Sequence, residues 1–233
     1  MSSYLSNIDE TGVVSRGEFV KSTYKYLIGA IVVFAAFSFV LSAIGVGAAM
    51  VRAMGASRFA WLGVLGAFML VSWLATHMAD TAESNNTQIM GLGIYIVAEA
   101  LLFAPLFAIA GALAPDAIFT AVVVTALLVA GLTWTALSTK ADFSFLGSLL
   151  KIGGLVAIGA IVLSAVMGFS LGIWFSAVMI VFAAGAILYD TSNIIHHYPT
   201  DRPAGAALHL FASVMLMLWY VLRLLMQLVS SND

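Results

Sequence analysis

Long apolar runs alternate with short polar stretches along the chain. Seven long runs stand out, at about 26–51, 58–77, 89–112, 117–138, 145–167, 171–195 and 206–229. A hydrocarbon core about 30 Å thick needs roughly 20 apolar residues per helix, and an open chain can satisfy its backbone in lipid only as helix. The pattern therefore predicts an all-α integral membrane protein, a seven-transmembrane-helix bundle at residues 25–230 with a polar N-terminal tail at residues 1–24.

The connections between the runs are too short to hold a further domain. The most polar of them is HMADTAESNNTQ at 77–88, which is predicted to be a loop. GFSLG at 168–172 matches the pattern around a nucleophilic serine, but such a serine needs a base within hydrogen-bond reach. On this topology the histidines lie at the other membrane face. The stretch is interpreted as a turn, and no enzymatic activity is expected.

Composition supports the membrane assignment. The chain is 63% hydrophobic and 9% charged, whereas soluble domains carry about 25% charged residues. The lipid bilayer is therefore the expected surrounding. A net charge of -2 argues against a nucleic-acid partner, and the absence of cysteine leaves no disulfide or thiolate metal site. No cofactor is expected. The polar, acidic start lacks the layout of a cleaved signal peptide, so the first run is expected to remain in the mature protein.

Orientation follows from the basic residues in the connections, because cytoplasmic loops are enriched in Lys and Arg. The opposite side holds Arg52 and Arg58. The N-terminal side holds a larger set: Arg16, Lys21, Lys25, Lys140 and Arg202. The excess predicts a cytoplasmic N-terminus and, after seven spans, an external C-terminus.

A few ionisable groups fall inside the apolar runs and are the candidate functional residues: Glu99, Lys151, Asp190, His209 and Arg223. Insertion scales put an Asp, Lys or Arg near mid-membrane at about 2.5 to 3.5 kcal/mol. Each of these groups therefore needs a partner, a water-filled cavity, a neutral state or a route to the headgroups.

Asp190 is expected to face the last helix. Asn193 shares its helical face at i+3, and His209 and Ser213 lie on one side of the seventh run, in a stripe that continues with Tyr220, Arg223 and Gln227. Because the sixth and seventh runs are antiparallel, Asp190, His209 and Ser213 should fall at similar depth. Two interpretations stay open: a pH- or ion-sensitive site, and a simple lock that pins two helices together.

The other three groups also have alternatives. Glu99 lies deep in the third run and is followed by Pro105, which suits either a cation path or a helix–helix hydrogen bond from a neutral carboxyl. Lys151 either extends to the headgroups or pairs with Asp190. Arg223 lies toward the outer end and could also extend to the headgroups.

Three segments resemble those of BAX inhibitor-1 proteins, also called transmembrane BAX inhibitor motif proteins. STKADFSFLGSLL resembles the hallmark before their fifth helix. AEALLFAPLF resembles their Glu-Gly-x-x-x-Gly-Pro segment, with Ala100 and Ala104 in place of the usual small residues. AILYDTSNIIHHY is similar to their sixth-helix aspartate motif, and the helix ending in VLRLLMQL also fits. The chain looks most like the bacterial branch, including an enterobacterial member that modulates a membrane-anchored AAA protease.

The resemblance implies a bundle with a central seventh helix and a pH-sensitive calcium leak. It also implies a gate made by two hydrogen-bonded aspartates on the last two helices. Asp190 matches the first aspartate, but Ser213 stands at the second. The basic residues at the inner end of the family's second helix are absent too, and Thr76 and His77 stand nearby.

Two functions are therefore predicted as alternatives. One is a pH-sensitive calcium or other cation leak of the bacterial inner membrane, in which Asp190, with His209 and Ser213, is the gate and offers calcium a weak transit site. The other is a non-transporting regulator that binds a membrane-anchored AAA protease complex through its helices or N-terminal tail.

Overall fold

The computed structural model describes residues 15–55, 59–82, 84–139 and 141–231, and this part of the chain forms eight α-helices. They are α1 (Arg16–Ala43), α2 (Val46–Met54), α3 (Ala60–Thr81), α4 (Asn85–Leu113), α5 (Pro115–Ser138), α6 (Leu146–Met167), α7 (Ile173–His196) and α8 (Pro203–Ser230). All but the short α2 are long and apolar enough to cross a membrane. The predicted seven-helix membrane bundle is confirmed.

The last helix, α8, is the centre of the bundle. In its most apolar stretch 78% of the residues are buried, compared with 39% or less in each other spanning helix. It packs against α1, α3, α4, α5 and α7, which confirms the predicted central helix. Its first turn contains Gly205, where a Cβ atom would come 2.7 Å from the carbonyl oxygen of Ala79. The absent side chain therefore allows α8 and α3 to approach closely.

The first apolar run is broken, although the pattern predicts one helix at 26–51. Gly45 adopts a φ of 75°, a backbone conformation that suits glycine, and the chain turns there into α2. In α2, Gly47 lies so close to α4 that a Cβ atom would overlap the carbonyl oxygen of Ala104. Gly45 and Gly47 both lie within an apolar sequence, so hydrophobicity alone does not reveal the turn.

The first helix also begins within the predicted tail at residues 1–24. The side chain of Ser15 accepts a hydrogen bond from the amide of Glu18 (3.4 Å), and Phe19 is buried in a stack on Tyr198. Arg16 donates to the carbonyl of Tyr198 (2.5 Å). Residues 16–24 are thus a packed part of the bundle, whereas residues 1–14 lie outside the described residues.

These contacts define two ends of the bundle. The Arg16 end contains the start of α1, the end of α7 and the start of α8. The Ser230 end contains the end of α8 and the loop between α6 and α7, because Gln227 donates to the carbonyl of Leu171 (3.2 Å). The GFSLG stretch lies in that loop, as its interpretation as a turn requires.

The polar segment at 77–88 is mostly helical, so its prediction as a loop is wrong. Helix α3 extends to Thr81, and α4 begins at Asn85. The reason is that its polar side chains have partners at the Arg16 end. Gln88 is fully buried and donates to the carbonyls of Ala82 (3.2 Å) and Asp201 (3.3 Å). The extra turn of α3 brings Asp80 into the bundle.

Helix α6 is the most peripheral spanning helix. Its substantial packing is against α7 alone, where Gly147 lies against the ring of Tyr189 and Gly153 against that of Phe182. In its most apolar stretch only 6% of the residues are buried. The side of α6 that faces α3 is therefore not closed by helix–helix contact.

Candidate functional site

Asp190 and Ser213 join α7 to the central helix. The Ser213 hydroxyl donates to Oδ2 of Asp190 over 2.5 Å. Asp190 lies six residues before the end of α7, or about 9 Å along the helix at 1.5 Å per residue. The carboxylate is thus below the membrane surface and is held by a hydroxyl rather than by a second acid. By itself this contact suits both a gate and a helix lock.

His209 does not hydrogen-bond Asp190, although the sequence places the two side chains at similar depth. Its Nε2 lies 3.0 Å from each carboxylate oxygen of Asp80 on α3. Because His209 and Ser213 are four residues apart on α8, their two acidic partners lie one turn apart around the same helix. His209 also interacts electrostatically with Asp190. The site therefore contains two carboxylates with a histidine between them.

Asp80 is a functional candidate that the hydrophobic pattern does not reveal. The polar stretch at 77–88 predicts a loop, but Asp80 lies in the last turn of α3 and accepts a hydrogen bond from the Tyr198 hydroxyl (2.6 Å). Arg202 also donates to its backbone carbonyl. The available signal is the position of Asp80 directly after Ala79. Ala75 and Ala79 lie four residues apart on one edge of α3, and this edge of small residues packs against α4 and α8.

Tyr198 closes the site at the Arg16 end. Burial and the hydrogen bond to Asp80 raise the pKa of the Tyr198 hydroxyl above its ordinary value. The hydroxyl consequently remains a donor to Asp80 throughout the physiological pH range. The same residue supplies the carbonyl that binds Arg16. Tyr198 therefore couples the start of α1 to the acidic residue of α3.

A second acid–base contact lies nearby, outside the spanning segments. Asp142, in the loop before α6, lies 2.8 Å from Nε2 of His197 at the end of α7. It also accepts from the amide of Ser144 (2.9 Å), and the Ser192 hydroxyl accepts from the amide of Phe143 (2.9 Å). The bond to His197 and that to the Ser144 amide lower the pKa of Asp142 to about 2. This loop is thus fastened to α7 just beyond Asp190.

Glu99 lies deeper, on α4, and is 5% exposed. Tyr95 lies one turn before it on α4 and is also buried. Both residues and Ser213 line a cavity of about 730 Å³ that continues to Arg223 near the Ser230 end. The cavity therefore begins at the Asp190–Ser213 contact and follows α8 toward the other membrane face. Pro105 lies inside α4 without ending the helix.

The remaining candidates lie apart from the site. Lys151 is exposed on α6, and the described residues contain no ion pair between it and Asp190, so the alternative of a Lys151–Asp190 pair is wrong. Asn193 contributes its backbone carbonyl to the amides of His197 (2.8 Å) and Tyr198 (2.7 Å), which ends α7. Arg223 donates to the carbonyl of Leu171 (3.1 Å).

The acidic residues of the site do not form a metal cage. Among the described residues no three His, Asp or Glu side chains converge as a metal would require, and Ca²⁺ prefers six to eight oxygen ligands. The carboxylate of Asp190 with one hydroxyl can offer a passing cation only a partial shell.

Comparison with known proteins agrees with this architecture. The model of the family described as "Inhibitor of apoptosis-promoting Bax1" matches residues 16–230. An 82-residue stretch is 39% identical to the uncharacterized protein PA2604 of Pseudomonas aeruginosa. The aligned stretch covers 34% of this chain and 36% of that protein. The match thus spans about a third of that relative's length, whereas the family match includes every spanning helix.

Proposed function

This chain belongs to the Bax inhibitor-1 family, and we propose that it is a pH-sensitive calcium or cation leak of the bacterial inner membrane. The observation that carries the proposal is the pairing of two carboxylates with one face of the central helix. Asp190 binds Ser213, and Asp80 binds His209 one turn away. Such intramembrane acids commonly mark ion or proton pathways. In this proposal the Arg16 end is cytoplasmic, as the basic residues favour.

The Asp190–Ser213 contact is the proposed gate. A hydroxyl donating to a charged carboxylate makes a bond roughly twice as strong as one between neutral groups. Uptake of a proton by Asp190 therefore weakens the tie between α7 and α8, and loss of the proton restores it. Helix α7 can then move against α8 and connect the cavity at Ser213 with the Arg16 end. We expect a larger flux at pH 6 than at pH 8.

The Asp80–His209 pair supplies the second titratable partner. Serine cannot change charge, so Ser213 cannot share a proton as a second aspartate would. His209 can change charge near neutral pH, and it interacts electrostatically with Asp190. A protonated His209 favours the charged form of Asp190 and thus opposes opening. The two pairs together make the response depend on both α3 and α7.

Calcium is the substrate in this proposal, not a resident ligand. The described residues hold no cluster of three metal-ligating side chains. A path that binds an ion weakly lets the ion leave again, as conduction requires. Asp190 and then Glu99, which lines the cavity beyond Ser213, are the carboxylates that a cation would meet in sequence.

The test is calcium flux into liposomes that contain the purified protein, measured from pH 6 to pH 8. Asp190→Asn imitates the neutral carboxyl, so its flux should be independent of pH and at least as large as that of the wild type at pH 6. Asp116→Asn is the matched control, because Asp116 is exposed in the first turn of α5, at the opposite end of the bundle. It should retain the pH dependence of the wild type. A wild-type protein without flux, or an Asp190→Asn profile that still follows pH, rules out the gate.

The alternative, a regulator of a membrane-anchored AAA protease, depends on the family resemblance. Its candidate contact is the N-terminal tail, of which residues 1–14 lie outside the described residues. Capture of the protease from solubilised membranes by wild type and by a chain without residues 1–14 measures it. Absent calcium flux together with tail-dependent capture would favour this alternative over the leak.

A further inference from the structure

The cavity along α8 opens sideways toward the bilayer. Its walls include residues from α3 and α6, two helices that do not pack substantially against each other. Three of its lining residues are also exposed on the outer surface of the bundle: Met69 (51%), Ile158 (44%) and Val162 (43%). They form the two sides of the opening, Met69 on α3 and the other two on α6. A molecule can therefore enter the cavity between these helices without passing either end.

The height of the opening determines what it meets. Ile158 and Val162 lie 12 and 16 residues from the start of α6, or about 18 and 24 Å along the helix at 1.5 Å per residue. Such positions fall within a hydrocarbon core about 30 Å thick. The opening thus faces acyl chains rather than water. The cavity walls match this surrounding, because aromatic and aliphatic side chains predominate, among them Trp61, Phe68, Phe103, Phe182 and Trp219.

A cationic group lies at the Ser230 end of the cavity. Arg223 lines the cavity and uses one guanidinium nitrogen to donate to the carbonyl of Leu171. Arginine has five N–H donors, and no carboxylate of the described residues lies within ion-pairing distance of it. It is seven residues before the end of α8, about 10 Å by helical rise. Its remaining donors are placed to bind an anion at the level of the headgroups.

We propose that, in the closed state of the bundle, this cavity is a binding site for one anionic glycerophospholipid of the surrounding bilayer, with its phosphate on Arg223 and one acyl chain between α3 and α6; the lipid must leave before a cation can follow the same path. The length agrees with the occupant. From Arg223 to Ser213 the cavity follows ten residues of α8, about 15 Å by helical rise. This is half of a hydrocarbon core about 30 Å thick, and so the depth of the chains in a single leaflet. Trp61 stacks on Trp219 beside this path (5.6 Å), and tryptophan is enriched near headgroups.

The first experiment is native mass spectrometry of the purified full chain titrated with phosphatidylglycerol or phosphatidylcholine. We expect tighter binding of phosphatidylglycerol by about tenfold, the size of one charge-assisted contact. Arg223→Gln should abolish this preference. Arg52→Gln is the matched control, because Arg52 is exposed on α2 outside the cavity lining. It should keep the preference.

The acyl-chain part of the proposal has its own pair of variants. Ala165 on α6 lines the cavity, so Ala165→Trp should fill it and reduce binding of both lipids about tenfold. Its neighbour Val166 is 50% exposed and does not line the cavity, so Val166→Trp should bind as the wild type does. Equal effects of the two tryptophans, no headgroup preference in the wild type, or equal effects of the two arginine substitutions would each overturn the site.

A photolabelling experiment on the wild type avoids any dependence on the folding of variants. A phosphatidylglycerol that carries a diazirine on its acyl chain is reconstituted with the protein, illuminated, and the labelled peptides are sequenced. Label should concentrate on Met69, Ile158 and Val162. Leu155, which is 75% exposed on α6 and outside the cavity, reports ordinary bilayer contact. Label at Leu155 as strong as at Ile158 and Val162 would show an annular lipid only and overturn the proposal.

Discussion

The Asp80–His209 pair should contribute measurably to the stability of the bundle, because it ties α3 to the central helix. Both oxygens of Asp80 lie 3.0 Å from Nε2 of His209, and each side chain is 38% exposed. Exposed ion pairs contribute about 0 to 1 kcal/mol, and loss of one partner of a fully buried pair costs about 3 to 5 kcal/mol. The observed exposure places this pair between these limits, so we expect a coupling of about 1 to 2 kcal/mol.

A double-mutant cycle measures this coupling free energy directly. Asp80→Asn, His209→Gln and the double variant are compared with wild type in detergent micelles, with tryptophan fluorescence to follow thermal unfolding. A change of 1 kcal/mol shifts Tm by about 2 to 4 °C in a protein of this size. Each single variant should therefore lose about 2 to 8 °C, and the double variant should lose less than the sum of the two. His77→Gln, on the exposed face of the same helix, should leave Tm within about 2 °C of the wild-type value.

Additive effects of the two substitutions on the free energy of unfolding would refute this coupling. Independent sites usually add within about 0.3 to 0.5 kcal/mol, so a coupling below that limit would mean that the contact does not stabilise the native state. Equal losses from His77→Gln and His209→Gln would also contradict the argument, because His77 contacts Trp73 and not Asp80.

Two further predictions concern the packing around the site. The Asp142 carboxyl has a pKa of about 2, below its ordinary value, so it stabilises the folded state above about pH 4. That contribution to stability is lost as the pH falls toward 2. The Tm difference between wild type and Asp142→Asn should therefore be constant above about pH 4 and shrink below it. A Tm difference that grows on acidification would contradict this expectation. Gly205→Ala places a Cβ atom 2.7 Å from the backbone oxygen of Ala79, so unfolding experiments should show a loss of about 1 to 3 kcal/mol. Gly93→Ala, on an open face of α4, should cost nothing, and equal losses from both would show that the close approach of α8 to α3 is not responsible.

Hydrophobic runs were sufficient to predict the spanning helices, whereas the central place of the last helix was implied by the family resemblance. The ends of the spanning helices follow from the lengths of the runs, because apolar residues must fill the hydrocarbon core. The exceptions occur where another interaction decides. At Gly45 a positive φ breaks an apolar run, and at Arg16 contacts to the end of α7 extend a helix into a polar segment. Neither feature is visible in the hydrophobic pattern, because a turn at glycine does not interrupt an apolar run and the partners of Arg16 are distant in sequence.

The candidate site was predictable only for residues that sit visibly within apolar sequence. Asp190 and Ser213 stand out in this way, and antiparallel neighbours at equal depth brought them together. Asp80 does not stand out, because its run of polar neighbours is typical of a loop. Asp142 and His197 lie in separate polar connections, and their contact depends on how α6 enters the membrane beside α7. A polar residue at a helix end is therefore ambiguous until the packing of that end is known.

The structure distributes acid and base differently from the pattern that the family resemblance implies. That pattern has two acids on the last two helices and basic residues on the second spanning helix. Here the acid is Asp80 on the second spanning helix, α3, and the base is His209 on the last one. The acid and the base are thus found on exchanged helices. His209, held by Asp80 of α3, can then adjust the charge of Asp190, but the tie that this charge controls is the Ser213 hydroxyl. The calcium flux of Ser213→Ala should therefore be as large at pH 8 as at pH 6, and a flux that still falls between pH 6 and pH 8 would contradict this role of Ser213.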